Sequence, residues 1–446
     1  MPSTTPASAR SRSRSDRRRR RPSGTAPAIA AVPEPAVTAR SFAELGVPEP
    51  IDRALAGCGI TNPFPIQAAT LPDSLAGRDV LGRGRTGSGK TVAFAVPTIV
   101  ALAGSGRPRS PKHPRALILV PTRELANQVA DAIAPLAAAV GQRITTVYGG
   151  VGQGRQVSAL RGGIDVLVAC PGRLEDLLGQ GHVYLEAVEV SVLDEADHMA
   201  DLGFLPAVKR LLDRTPEGTQ RLLFSATLDN GVDVLVRRYL TDPVVHSVDP
   251  PAAPISARDH HVFTVAQADK ATVVRELASG QGRSLLFTRT KHAAKKLAKQ
   301  LTVGGIPALD LHGNLAQRAR ERNLAAFGDG SVRVLVATDI AARGIHVDDI
   351  ALVVHVDPPA EHKAYLHRSG RTARAGADGV VVTVSTPEQS SDVRAMTRQA
   401  GISPAVVTVR PGAEQITALT GPPVPRVVPA EAPIAPVRQP RHRGHA

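Results

Sequence analysis

The chain has 446 residues, 42% of them apolar and 3% aromatic, with a formal net charge of +14 and two cysteines. That length leaves room for roughly two to three domains, and the basic balance points to a polyanionic partner, nucleic acid first. Cys58 and Cys170 lie far apart without metal-ligand spacing, and no stretch approaches the roughly 18–20 apolar residues of a membrane span, so a disulfide scaffold and a membrane protein are set aside. The basic start lacks the apolar core of a signal peptide, and a reduced, cytoplasmic setting is expected.

Residues 1–40 hold nine Arg against Asp16 and Glu34, with abundant Ser, Pro and Ala and no sustained hydrophobic period, which predicts a disordered basic tail. Order is expected from Ser41. Over 41–241 short apolar runs alternate with helical stretches, the signature of a parallel sheet covered by helices. Strands are predicted at Asp79–Gly82, Ala116–Val120, Ile144–Val147, Asp165–Ala169, Val190–Asp194 and Arg221–Ser225, with helices at Thr91–Leu102, Glu124–Ala139 and Pro206–Asp213. A Pro-rich stretch, 242–257, reads as a linker. The alternation restarts over 258–405, with strands at His261–Val265, Ser284–Phe287, Ala308–Leu311, Val334–Thr338, Leu352–Val356 and Val380–Ser385 and helices at His292–Thr302 and Gln317–Phe327. Residues 406–446, Pro- and Arg-rich from about Pro411, are predicted to form a second disordered tail. The result is an α/β chain of two linked domains that look like a loose duplication.

Gly84-Arg85-Thr86-Gly87-Ser88-Gly89-Lys90-Thr91 fits the phosphate-binding pattern GxxxxGK[ST] in every position. Its glycines let backbone N–H groups converge on a polyphosphate, Lys90 can neutralise the outer phosphates, and Thr91 can ligate Mg2+. A chance match is roughly a per-cent-level event at ordinary glycine usage. Asp194-Glu195-Ala196-Asp197 ends an apolar run and so stands at a strand's C-terminal tip, where ligands of a parallel sheet bind. There Asp194 can hold Mg2+ and Glu195 can activate the attacking water. By itself such a run would more often be a solvated acidic loop; beside a phosphate loop it indicates nucleotide hydrolysis.

Asp194-Glu195-Ala196-Asp197 resembles the name-giving motif of the DEAD-box RNA helicases. Pro121-Thr122-Arg123-Glu124-Leu125-Ala126, Ser225-Ala226-Thr227 and His367-Arg368-Ser369-Gly370-Arg371-Thr372-Ala373-Arg374 are similar to further motifs of that family in the same order, over residues 41 to about 400. The resemblance implies two tandem RecA-like domains, each a parallel sheet covered by helices, that hydrolyse ATP with Mg2+. It implies that Gln67 reads the adenine edge, that Phe42 stacks on the base, and that Arg371 and Arg374 reach the transferring phosphate from the second domain. Asp339 and His346 are expected on the nucleotide side of the cleft, Asp339 also coupling the domains, and Ser225, Thr227, Asp197 and His367 at the coupling between domains. RNA is expected along Pro121, Thr122, Arg123, Gly150, Arg173, Arg289, Gln317, Arg320 and Thr338, through its backbone and with weak sequence preference. Single strands and short duplexes are the implied substrates, with ribosomal or RNA-degradation proteins as further partners.

The chain departs from the family pattern at four places. Gly84-Arg85 stands for the usual Ala-Gln, Cys170 for a threonine, Ile60 for a common aromatic, and His346 for an Asp that accepts from the ATP ribose. The last predicts weaker nucleotide binding with pH sensitivity near neutrality. The expected activity is ATP-dependent, local and non-processive separation of short RNA duplexes. Rival readings are an ATP-driven DNA motor, which equal stimulation by DNA would favour, and a passive RNA chaperone, which annealing without ATP would favour.

Overall fold

The computed structural model describes residues 41–84, 87–228, 230–248, 260–342, 347, 349–372 and 379–427. Strands β1 (Val80–Arg83), β2 (Ala116–Leu119), β3 (Ile144–Val147), β4 (Val166–Ala169), β5 (Val190–Asp194), β6 (Gln220–Ser225) and β7 (Val244–Ser247) form a sheet in the order β3-β4-β2-β5-β6-β1-β7. The second sheet comprises β8 (His260–Thr264), β9 (Arg283–Phe287), β10 (Ala308–Leu311), β11 (Val334–Ala337), β12 (Ile350–His355), β13 (Val380–Ser385) and β14 (Ala405–Thr408), in the order β10-β11-β9-β12-β13-β8-β14. Counted from its own first strand, each sheet shows the same permutation, so the loose duplication expected from the sequence is a duplication of topology. Every pairing is parallel.

A parallel sheet is covered on both faces, so its central strands must be apolar at every position rather than alternately. All residues of β2, β4 and β11 are buried. In β2 the two faces feed separate cores: Ala116 and Ile118 pack with Phe42, Phe94 and Phe224, while Leu117 and Leu119 pack with Leu160, Leu174 and Met199. The second sheet repeats this with Leu286 and Val336 on one side and Leu285 and Leu335 on the other.

Two boundaries differ from expectation. The stretch read as a linker from 242 begins with β7, where Val80↔Val244 through Arg83↔Ser247 pair along the sheet edge. The stretch read as a tail from 406 contains most of β14, paired with β8, and helix Glu414–Thr420, whose Ile416 is buried. In both cases a four-residue strand at the sheet edge follows proline-containing sequence; proline is tolerated there because an edge strand leaves one row of donors unused. Residues 1–40, 249–259 and 428–446 lie outside the described residues. No helix among those described is long and apolar enough to cross a membrane.

Candidate nucleotide site and domain junction

Because all strands of a sheet run the same way, the residues that follow them gather at one edge. The loop from Gly84 follows β1, Pro121 and Thr122 follow β2, Cys170 follows β4, Glu195 follows β5 and Thr227 follows β6. Gly87 and Gly89 hold φ of +89° and +87°, a region closed to most side chains. Gly89 also has no room: a Cβ there would lie 2.5 Å from Gln67 Nε2 and 2.6 Å from Phe64 Cδ2. Helix Lys90–Gly104 starts immediately after it, directing unbonded backbone N–H groups at the loop. Lys90 is 7% exposed and its Nζ donates to Gly84 O at 2.8 Å. Ser88 Oγ is buried without a hydrogen-bond partner, and Thr91 is half-buried. Arg85 and Thr86 lie outside the described residues.

Gln67 is buried, accepting from Phe64 N and donating to Gly89 O, each at 2.9 Å, so it splints the segment 63–67 to the phosphate loop. The structure corrects the expectation for Phe42. Its ring is 0% exposed within the core of the first domain, because helix Glu49–Gly57 and the segment before it pack over that side of the sheet, and no face remains for a base. The exposed aromatic beside the loop is Phe64, at 54%, which sequence reasoning passed over although it stands three residues before Gln67.

Asp194 and Glu195 are both enclosed. Burial pushes the Asp194 carboxyl up to about 7, the charges of Glu195 and Asp197 add to this, and Lys90 and the Glu195 N–H oppose it. Glu195 occupies the left-handed region at φ 51°, one of four such non-glycine residues among those described. Burial pushes its carboxyl up as well, but the hydrogen bond and charge of His198, with the charges of Arg371 and Lys90, outweigh burial and hold the group well below the usual carboxylate range. His198 Nδ1 lies 3.1 Å from Glu195 Oε2 while Nε2 is buried without a partner. His198 lies in helix Ala196–Asp201, three residues after Glu195, which stands just before that helix.

Asp197 turns to β6. Its carboxylate accepts from both the N–H and the hydroxyl of Thr227 at 2.9 Å, and Ser225 Oγ receives Asp197 N–H at 3.3 Å while donating to Thr227 O. These residues, expected to couple the domains, are tied to one another within the first. Asp339, also expected to couple them, is gripped within the second domain by the guanidinium of Arg368, which is 3% exposed and lies over the Phe287 ring at 5.1 Å. His367 does face the other domain, with Nδ1 3.9 Å from Asp201 Oδ2. Arg371 is buried, its Nε donates to His367 O, and its charge reaches Glu195 across the cleft. Arg374 and His346 lie outside the described residues.

Residues expected along the RNA track divide into two groups. Arg123, Gln317 and Arg320 meet at a junction between domains centred on Glu124, which the sequence reading did not single out. Arg320 Nε donates to Glu124 Oε1 at 2.8 Å, Arg123 Nη1 to Gln317 Oε1 at 3.1 Å, and Gln317 Nε2 to Glu124 Oε1 at 3.4 Å. Arg320 is 9% exposed and also donates to His312 O and Ala341 O, so each of its three nitrogens has a protein partner and its side chain is largely closed to a strand. The second group, Pro121 apart, is partly or fully accessible. Thr122 caps helix Arg123–Ala139 by accepting from Leu125 N, Gly150 at φ +79° lies under the Arg123 guanidinium, and Arg173 donates to Val151 O. Arg289 is exposed after β9, Thr338 follows β11, and Pro121 is buried. Burial pushes the Cys170 thiol up to about 12, so it stays protonated. A surface cavity lined by Arg78, Asp213, Arg221 and Tyr239 lies at the opposite edge of the first sheet and holds none of these residues.

The glycine cradle after β1, the acids after β5 and the matching second sheet define a P-loop α/β protein of two like domains. The family model described as DEAD/DEAH box helicase matches residues 64–235, and that described as helicase conserved C-terminal domain matches 269–376. The chain is 37% identical over 375 residues to the ATP-dependent RNA helicase RhlB of Pseudomonas syringae, covering 82% of this chain and 94% of that protein. It is also 37% identical to DEAD-box ATP-dependent RNA helicase 30 of Arabidopsis thaliana, of whose length it spans 62%. Saccharomyces cerevisiae Dbp5 bound to RNA and ADP BeF3 superposes with a TM-score of 0.73 at 27% identity, over 85% of this chain and 98% of that one. The chain belongs to the DEAD-box helicase family.

Proposed function

We propose that the protein is an ATP-dependent RNA helicase in which RNA-stimulated ATP hydrolysis drives local, non-processive opening of short duplexes or remodelling of RNA–protein complexes. The observation that supports this reading is that the buried Glu195 carboxyl feels the charge of Arg371 from the second domain, as expected if a base and a guanidinium from different domains serve one reaction volume. Hydrolysis then requires the domains to be together, and a strand that binds both promotes it.

The residues fit a nucleotide and a divalent ion. Backbone N–H groups at Gly87–Gly89 and the unpartnered Ser88 hydroxyl suit phosphate oxygens, with Lys90 released from Gly84 O to the outer phosphates. No cluster of three or more His, Cys, Asp or Glu with metal-holding geometry exists among the described residues. An ion here would be held by Asp194 and the Thr91 hydroxyl, with water and phosphate completing the sparse protein coordination that Mg2+ tolerates. Burial, with the charges of Glu195 and Asp197, raises Asp194, and a bound cation would offset that cost. When bound, it neutralises charge on the transferring phosphate. Glu195, held ionised by His198, accepts a proton from water, and Arg371 stabilises developing charge. Gln67 keeps one N–H and one lone pair for adenine, and Phe64 supplies the aromatic face that Ile60 and the enclosed Phe42 do not. Asp339 acts through Arg368, and Arg374, Arg85, Thr86 and His346 complete the site by family resemblance. RNA follows Thr122, Gly150, Arg173, Arg289 and Thr338 through its backbone.

The test is ATP turnover at near-physiological salt, alone and with matched single-stranded RNA or DNA. RNA-specific stimulation that disappears in Lys90→Ala and Glu195→Gln is expected, with the latter reducing turnover by roughly 10^2–10^4. Equal stimulation by DNA, or none by either, overturns the reading.

A further inference from the structure

Helix Lys291–Val303 follows β9 closely, with Thr290 as its cap, and its outer face is cationic from Lys291 to Lys299. Lys291, Lys295 and Lys299 recur every four residues, one turn apart on one stripe, and Lys296 flanks them. All four are exposed, and none has an ion-pair or hydrogen-bond partner among the described residues, while Ala294, Ala298 and Leu301 bury the opposite face. No Asp or Glu occurs from Arg289 to Val303. The charge is concentrated: against a net +14, residues 1–40 carry nine Arg with Asp16 and Glu34, and residues 289–299 carry five basic residues with no acid.

This pattern works against the helix that bears it. Like charges four residues apart repel by about 0.2–0.5 kcal/mol a pair. The helix has no acid in its first turn and no base in its last, the reverse of what its dipole favours, and Lys291 stands at the positive end. Fold stability gives no reason for the stripe; a polyanion outside the protein does. Its geometry says which. The stripe begins two residues after the exposed Arg289, at the sheet edge that carries the RNA-facing residues proposed above, and runs about 12 Å along the outside of the second domain. That span matches about four successive phosphates of one strand.

Building on the functional reading above, we infer that helix Lys291–Val303 is an extension of the RNA track, holding the phosphate backbone of RNA that continues beyond the cleft. Lys ammonium groups on flexible stems act there as point charges, so the contact is independent of sequence and sensitive to salt. It lets the protein stay on a long RNA while the cleft exchanges nucleotide.

The experiment uses the full chain, unchanged or with Lys291, Lys295, Lys296 and Lys299 all replaced by Gln, and a companion with all four replaced by Arg. Each is titrated with a short single strand that just saturates ATP turnover, and with the same strand extended at either end, across a salt series. The Gln variant is expected to bind the extended RNA on the order of ten- to a hundred-fold more weakly and to lower the log–log salt slope by about three. Binding of the short strand and the turnover it stimulates stay at the unchanged chain's level, and the Arg variant restores extended binding. Unchanged affinity and slope on the extended RNA would show the stripe to be a solvated face and overturn the inference. A loss of equal size on the short strand would also overturn it, by making the stripe part of the cleft's own contacts. An unchanged chain that binds neither RNA sinks the helicase reading instead.

Discussion

At Asp194 a carboxylate is enclosed by protein beside two other acids, with Lys90 as its counter-charge, and its pKa rises to about 7. A folded-state pKa above the unfolded one means that the folded chain binds the extra proton, so stability is full below about pH 4 and falls as pH rises towards 7. The slope in that window is roughly 1.4 kcal/mol per pH unit for one such group. Asp194→Asn removes the penalty. Thermal unfolding without nucleotide or divalent ion should show the variant gaining on the parent as pH goes from about 4 to 8, with no gain at the acid end. A constant difference between the two across that range would mean that the acid is not strained. The same substitution should abolish ATP turnover, a trade of stability for chemistry expected at a site built to hold charge.

The phosphate loop shows how an element's sequence answers to two neighbours at once. Gly89 needs φ of +87°, and its missing side chain leaves room for Gln67 and Phe64 to close over the loop. Gly89→Ala should cost about 1–2 kcal/mol for the backbone conformation alone. The displaced Gln67 amide adds to this by losing its bond to Gly89 O. Urea unfolding and nucleotide titration should move together in this variant; an unchanged midpoint with wild-type nucleotide affinity would show that the loop relaxes freely. The loop was legible in the sequence because glycine spacing encodes a local conformation. The closure by Phe64 was not, because it depends on how helix Pro65–Leu75 is laid against helix Lys90–Gly104, which no local pattern states.

At the level of the whole molecule, Glu124 is one of the points where the two domains meet. Its partner Arg320 is 90% enclosed, and removing one member of such a pair leaves a buried charge uncompensated, at about 3–5 kcal/mol. Glu124→Ala should therefore loosen the junction and lower RNA-stimulated turnover without abolishing nucleotide binding to the first domain. Small-angle scattering should register a larger radius of gyration, and a double-mutant cycle with Arg320→Ala should recover most of the loss. Identical scattering and turnover in Glu124→Ala would place the force that joins the domains elsewhere.

Apolar runs four to six residues long, spaced by helices, were enough to specify two parallel sheets, because covering both faces demands continuous hydrophobicity. The order of the motifs was enough to specify the family, because each motif is a local arrangement of groups around phosphate. What the tertiary structure alone decided is which functional groups remain free. Phe42 and Arg320 have the residue types their expected roles require, yet packing encloses one and a carboxylate from the other domain occupies the other. Edge strands β7 and β14 likewise become strands through a neighbour's unpaired backbone rather than through their own pattern. A sequence records what each side chain can do; burial and partnership, set by residues distant along the chain, decide what it is available to do.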